Sequence, residues 1–385
     1  MKKIVVAIDS FKGSLSTFQS GNALKEGILS VYPDADVIIS PIADGGEGTV
    51  DAIVSGTKGK MVNVNVSNPL GRKILASYGI SEKTAIIEMS AAAGITLIND
   101  EERNPLNTTT FGVGEIIKDA IEKGCRKFVV GIGGSATNDG GIGMLQALGF
   151  EFLDKDGNQV SQGAKGLKDI VCIKTENALR ELEECEFCVA CDVKNPLCGD
   201  NGCSAVYGPQ KGATPEMIKD MDEWLSEYAK LTKKVLPDSD AEAPGTGAAG
   251  GMGFALMSYL KGRLESGIDI VIKETELEKH IKDADIVITG EGRLDGQSYM
   301  GKAPIGVAKI SKKYGKTVIA FSGAVTEDAA KCNEHGIDAF FSIVRKPCTL
   351  EEAIDCDNAY KNLKDTAIQV FRLIKKLTRR YNYGL

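Results

Sequence analysis

Four stretches of the 385-residue chain join glycine to carboxylates or hydroxyls, the residue types that hold a polyphosphate and a hard metal ion. In Gly131-Ile132-Gly133-Gly134-Ser135-Ala136-Thr137-Asn138-Asp139-Gly140-Gly141 the small residues let backbone N–H groups approach a phosphate. The helical pattern that follows, Ile142 to Leu148, would add the favourable end of its dipole. Gly133, Gly134, Ser135, Thr137 and Asn138 are the candidate contacts, and a tight structural turn is the other use of such a loop. The stretch contains no G-K-[ST] and does not keep the G-x-G-x-x-G spacing, so it is neither a Walker loop nor a dinucleotide fingerprint. Ala43 to Thr49, A-D-G-G-E-G-T, sets Asp44 and Glu47 beside a hydroxyl; Mg²⁺ takes one or two such carboxylates and keeps waters besides. Thr289 to Ser298 contributes Gly290, Glu291, Arg293, Asp295 and Gln297 and runs on toward Lys302. The fourth stretch, Gly245 to Gly253, suits close backbone packing as well as phosphate contact.

The elements that must position these residues read as alternating strands and helices. Lys3 to Asp9 is a short apolar run, followed by the loop Ser10 to Ser14, a helix from about Ser16 to Val31, and a second strand from Val37 to Ile42. Ser16 and Gln19 have capping-box spacing, and Ala23, Leu24, Ile28 and Leu29 form the apolar face. The same βαβ grammar returns at Ile286 to Thr289, Thr317 to Phe321 and Ala339 to Ile343, with a helical pattern from Ile305 to Lys313. Near-continuous β-branched runs alternating with helices predict a parallel sheet covered on both faces. Between these segments Met61 to Val66 alternates with period two, and Ile74 to Ile80 and Thr84 to Met89 follow closely, which predicts a meander. Further strands are expected at Lys127 to Ile132 and Phe187 to Asp192. The fold class is therefore α/β: a Rossmann-like parallel-sheet domain from residues 1–60 and 285–385, with an inserted α/β domain containing a mixed sheet at 61–284. In a parallel sheet the carboxyl ends of the strands form the ligand crevice. Asp9, Ser10 and Lys12, Asp44 and Glu47, and Glu291 and Arg293 are thus expected to converge on one edge.

Composition removes other classes. The net charge of −7 gives no attraction for nucleic acid, and no apolar run approaches the length of a membrane span. The apolar run after Lys2 and Lys3 stops at Asp9, too short for a signal peptide, so a cytoplasmic location with reduced cysteines is expected. Cys185, Cys188 and Cys191 are spaced C-x2-C-x2-C, but Cys188 and Cys191 in one strand would point to opposite faces, and a metal there is not expected. The two histidines, His280 and His335, lack a serine motif beside them, which disfavours a Ser-His-Asp hydrolase.

Five motifs, taken in order, resemble the bacterial type 1 glycerate kinases: D-S-F-K-G-S at Asp9 to Ser14, A-D-G-G-E-G-T at Ala43 to Thr49, G-I-G-G-S-A-T-N-D-G-G at Gly131 to Gly141, G-P-Q-K-G-A at Gly208 to Ala213, and T-G-E-G-R-L-D-G-Q at Thr289 to Gln297. The resemblance covers nearly the whole chain; Gly199 to Cys203 reads G-D-N-G-C, in a loop where variation is expected. It implies ATP-dependent phosphorylation of D-glycerate, with 2-phosphoglycerate the favoured product, and an α/β domain with a second one inserted.

Phosphoryl transfer needs positioned reactants and neutralised charge on the moving group. Lys12, Lys211, Arg293 and Lys302 are the cations expected at phosphate or at the substrate carboxylate. Asp44, Glu47 and Glu291 are the expected Mg²⁺ ligands. Asp192 and Asp295 are the contenders for the carboxylate that takes the hydroxyl proton. Asp192 leads, because an apolar strand precedes it and would shield it from water, and Asn195 follows closely. Two other classes stay open at this point: a nicotinamide-dependent dehydrogenase of a small hydroxy acid, and a non-catalytic sugar-acid binding protein. D-glycerate and ATP are the expected partners, with a homodimer open to such a chain.

Overall fold

The computed structural model describes residues 3–46, 48–296, 298–300 and 302–382, without the side chains of residues 300 and 379–382. Among the described residues thirteen strands run in chain order: β1 (Lys3–Val6), β2 (Asp36–Ile39), β3 (Lys60–Ser67), β4 (Lys73–Ser81), β5 (Thr84–Glu88), β6 (Lys127–Gly131), β7 (Glu151–Leu153), β8 (Cys172–Lys174), β9 (Glu186–Ala190), β10 (Arg263–Glu265), β11 (Ile286–Leu294), β12 (Thr317–Val325) and β13 (Ala339–Ser342). The chain divides into two compact units, one of residues 1–44, 51–57 and 271–385, the other of residues 45–50 and 58–270.

In the first unit the apolar runs assemble a five-stranded sheet of order β13-β12-β11-β1-β2, parallel at every pairing. β1 lies inside the sheet, with Ile4 beside Ile286 on one flank and Val37 on the other. Ile4, Val6, Ile8, Ile288 and Phe321 are buried together with Leu24 and Ile28 of the helix Thr17–Val31 and Leu363 and Phe371 of the helix Cys356–Asn382. Ser16 caps the first of these helices: its side chain accepts from Gln19 N–H while the Gln19 side chain accepts from Ser16 N–H. Such a cap is worth about 1 kcal/mol and fixes where the chain turns from the β1 loop into the helix.

Two strands of this sheet are longer than the apolar runs predict. β11 continues past Thr289 through Glu291 and Arg293 to Leu294, paired with β12 as far as Val325. The expected loop at Gly290 to Arg293 is therefore strand. The glycines that suggested a loop serve close approach instead. At Gly290, with φ 152°, a Cβ would stand 1.9 Å from the Phe321 carbonyl oxygen.

The second unit holds a mixed six-stranded sheet of order β10-β9-β6-β5-β4-β3 and a two-stranded ribbon of β7 and β8. β3, β4 and β5 are antiparallel neighbours, which is the predicted meander, and β5, β6, β9 and β10 are parallel. Strand β9 stops at Ala190, so Cys188 lies within it and Cys191 just beyond. The stretch Gly245 to Gly253 packs backbone on backbone. Gly250, at φ 70°, would carry a Cβ only 2.1 Å from the Thr137 carbonyl oxygen, so the helix Ala248–Leu260 kinks there and presses on the Gly131 to Gly141 loop. No described helix is long and apolar enough to cross a membrane.

Candidate active site

Each unit gathers polar residues at the carboxyl edge of its parallel strands. In the first unit a cavity of about 430 Å³ opens there. Asp9, Ser10 and Lys12 reach it from the loop after β1, Glu291 and Arg293 from the end of β11, and Asp295 and Lys302 from the segment beyond. Lys12 Nζ stands 3.8 Å from Asp44 Oδ2, Arg293 Nε 3.3 Å from Asp295 Oδ2, and Lys302 Nζ 3.9 Å from Glu291 Oε2. The Ser298 hydroxyl donates to Glu291 Oε1, and Ser10 N–H donates to Asp9 Oδ1 at 2.6 Å. Lys12 and Arg293 expose 64% and 65% of their side chains, which leaves both cations accessible to a ligand.

Two acids of this cluster, Asp9 and Glu291, resist ionisation. Burial, then the negative charges of Asp44 and Glu291, push the Asp9 carboxyl up to about 7, against the Ser10 hydrogen bond and Lys12. Burial also raises Glu291, although Ser298 and Lys302 stabilise its anion. Such a group of oxygens can take a cation or hold a proton near neutrality.

In the second unit β5, β6 and β9 end level: Glu88 pairs with Gly131, and Gly131 with Ala190. Just past this edge Gly133 and Gly134 form an exposed loop tip, with Gly134 at φ 72°. Gly45 and Gly46 crowd the same edge; a Cβ on Gly45 would lie 2.8 Å from Ala190 Cβ, and one on Gly133 would lie 3.4 Å from Gly46 Cα. Glu88 Oε1 accepts from Val50 N–H at 2.9 Å and so anchors the start of the helix Thr49–Gly56.

The rear half of the Gly131 to Gly141 loop is buried and tied down. Lys211, 2% exposed, donates from Nζ to Ser135 Oγ at 2.9 Å and to the Thr137 carbonyl at 2.6 Å. Burial lowers its ammonium to about 8. Asp139 accepts from Thr110 N–H at 2.8 Å, from the Thr110 hydroxyl at 2.9 Å and from Gly141 N–H at 3.1 Å, and burial raises its carboxyl. Asn138 donates to Ser204 Oγ at 2.9 Å.

Several sequence expectations change at this point. Lys211 sits behind the phosphate-type loop as a brace, because the short helical turn Pro209–Lys211 directs it inward. Thr137 and Asn138 belong to the same buried rear half, so the exposed tip is left to Gly133 and Gly134. Asp192 is exposed and not shielded, because β9 ends two residues before it; its Oδ1 accepts from Gly267 N–H at 3.2 Å. Asn195 braces its own loop, donating to the Asn201 carbonyl at 2.8 Å and accepting from the Tyr207 hydroxyl at 2.7 Å. Gly290 lies within β11, paired with Phe321 of β12, and its carbonyl accepts from Asp9 N–H at 3.0 Å. Glu47 and Gln297 lie outside the described residues. Glu88 escaped the sequence reading. Its signal was a carboxylate closing an apolar strand directly before the small-residue run Ser90 to Gly94.

A parallel-sheet edge lined with paired cations and carboxylates in one unit, and a sheet edge carrying a glycine-rich loop in the other, are the equipment of an enzyme that handles anionic groups. The sequence profile of the glycerate kinase family matches residues 4–375. Among curated relatives, the glycerate 2-kinase of Escherichia coli K12 is 49% identical over 94% of this chain and 95% of its own. The glycerate kinase of Haemophilus influenzae is 47% identical over 97% of this chain and 98% of its own. The crystal structure of a presumed glycerate kinase 2 from Salmonella typhimurium LT2 matches with a TM-score of 0.91 and 46% identity, over 98% of this chain and all of that one. The chain belongs to the glycerate kinase family. It is a kinase, and neither the dehydrogenase nor the binding-protein reading finds support in these matches.

Proposed function

We propose that this enzyme is a glycerate kinase of the type 1 class, acting in the cytoplasm, that transfers the γ-phosphoryl group of ATP to the 2-hydroxyl of D-glycerate. The observation that carries this reading is the end-to-end match to glycerate kinases, one of them named a glycerate 2-kinase. The two compact units act as domains, the second inserted into the first.

The donor set suits Mg²⁺. Asp44 and Glu291 offer hard oxygens next to Asp9; burial, and to a lesser degree neighbouring carboxylates, raise the Asp9 and Glu291 carboxyls, and a divalent cation would stabilise their anions. Asp44 and Glu291 would hold the ion, which supplies charge neutralisation to the phosphate oxygens when bound. Lys12, Arg293 and Lys302 neutralise phosphate charge; the guanidinium alone can also grip a carboxylate through two parallel hydrogen bonds. Gly133 and Gly134 offer backbone N–H groups to an anion. Asp192 orients the attacking hydroxyl and accepts its proton as transfer completes. Its exposure leaves it reachable by substrate, while the Gly267 N–H fixes one of its oxygens.

The test is a coupled assay of ATP consumption over a panel of small hydroxy acids, with phosphorus NMR of the product. Mg²⁺-dependent turnover with D-glycerate and a single 2-phospho resonance is expected. Turnover on another acid, or a 3-phospho product, would overturn the substrate or the position.

A further inference from the structure

The cavity of the first unit carries two chemistries. Its lining includes the cations Lys12, Arg293 and Lys302 and the apolar side chains of Phe11, Ile343, Val344, Leu350 and Ile354. Val344, Leu350 and Ile354 are exposed at 38%, 75% and 39%, so three large apolar side chains within eleven residues face solvent around one cavity. Leaving apolar surface wet costs about 25 cal/mol per Å², and a ligand with a flat apolar face would recover part of it. The short helix Leu350–Ile354 that presents two of them is held by a full capping box between Thr349 and Glu352, so the apolar wall is locally built. The Ser14 hydroxyl, buried at the cavity wall, has no hydrogen-bond partner among the described residues.

Glycerate cannot use the apolar part of this lining. Every one of its three carbons bears oxygen, it has no apolar face, and about 430 Å³ is several times its size. The complementary ligand has a flat, weakly polar ring at one end and several negative charges at the other, and it meets the sheet at the carboxyl ends of its strands. Resting on the kinase reading above, we propose that this cavity is the nucleotide's site. The adenine lies against Leu350, Ile354 and Val344, with the phosphates directed to Lys12, Arg293 and Lys302.

Photolabelling tests this on the wild-type protein. 8-Azido-ATP with Mg²⁺, followed by peptide mapping, should place the label within residues 343–354, and excess ATP should suppress it. A label on another segment, such as 131–141, would overturn the proposal. The variant Leu350→Ser/Ile354→Ser changes only exposed or half-exposed side chains. Its KM for ATP should rise about tenfold, equivalent to about 1.4 kcal/mol, while KM for glycerate changes less than twofold. An unchanged KM for ATP, or a rise confined to glycerate, would also overturn it. The two readings fail separately. Labelling at 343–354 without glycerate phosphorylation would sink the substrate assignment and support this site, whereas glycerate turnover with the label elsewhere would sink this site alone.

Discussion

At Asp9 burial and two neighbouring carboxylates oppose ionisation, lifting its carboxyl from 3.8 to about 7. Between those values the folded protein holds a proton that the unfolded chain has released, so this residue makes stability fall as pH rises through that window. Asp9→Asn keeps an oxygen for Ser10 N–H and removes the charge. In chelator-treated buffer it should raise Tm at pH 8 by more than at pH 5; equal shifts at the two pH values would show that Asp9 ionises freely. Lys12 and Arg293 stand accessible at the cavity, and loss of a cation from a transferring phosphoryl group can cost about 10³ in rate. Lys12→Ala and Arg293→Ala should each lower kcat/KM on that order, and wild-type kinetics in both would remove this loop and strand from the chemistry. Asp192→Asn can still accept from Gly267 N–H, so it isolates proton transfer from folding, and a loss of about 10² to 10⁴ in kcat is expected. Near-normal kcat would pass the role to Asp295. Much of this cluster was legible from residue type and spacing. Lys211 was not, because a glycine-rich motif shows that a lysine is near a loop but not which side of the loop it occupies.

Elements were read well where period and capping agree, as in the helix begun by Ser16, and poorly where small residues interrupt an apolar run. β11 and β12 look like short strands followed by loops because Gly290, Gly292, Gly323 and Ala324 erase the hydrophobic signal, although backbone pairing continues to Leu294 and Val325. That pairing places Glu291 and Arg293 on a rigid strand and not on a loop, which suits residues that must hold position during transfer. Gly290→Ala would force a Cβ into the Phe321 carbonyl. We expect it to destabilise the first unit by about 3 kcal/mol, read as a lower urea midpoint. An unchanged midpoint would mean that the strands separate at little cost.

For the whole molecule, the two parallel segments of sheet and the intervening meander were visible in hydrophobic period alone. The changeovers between units were less so, because helices near residue 270 look alike whichever core they cover. A ligand that binds only the folded protein stabilises it by about 2.7 kcal/mol at a hundredfold excess over Kd. ATP with Mg²⁺ should therefore raise Tm and NADH should not; a shift with NADH alone would reopen the dehydrogenase reading. The interior position of β1 has a consequence for synthesis. Its partner β11 is made about 280 residues later, so at roughly 5 to 20 residues per second one flank of an apolar strand waits on the order of 14 to 56 s for its neighbour. The second unit, encoded largely in between, can close its own core meanwhile. One edge of β1 therefore stays without its native neighbour until β11 has been made, an interval in which pairing with another chain competes with folding.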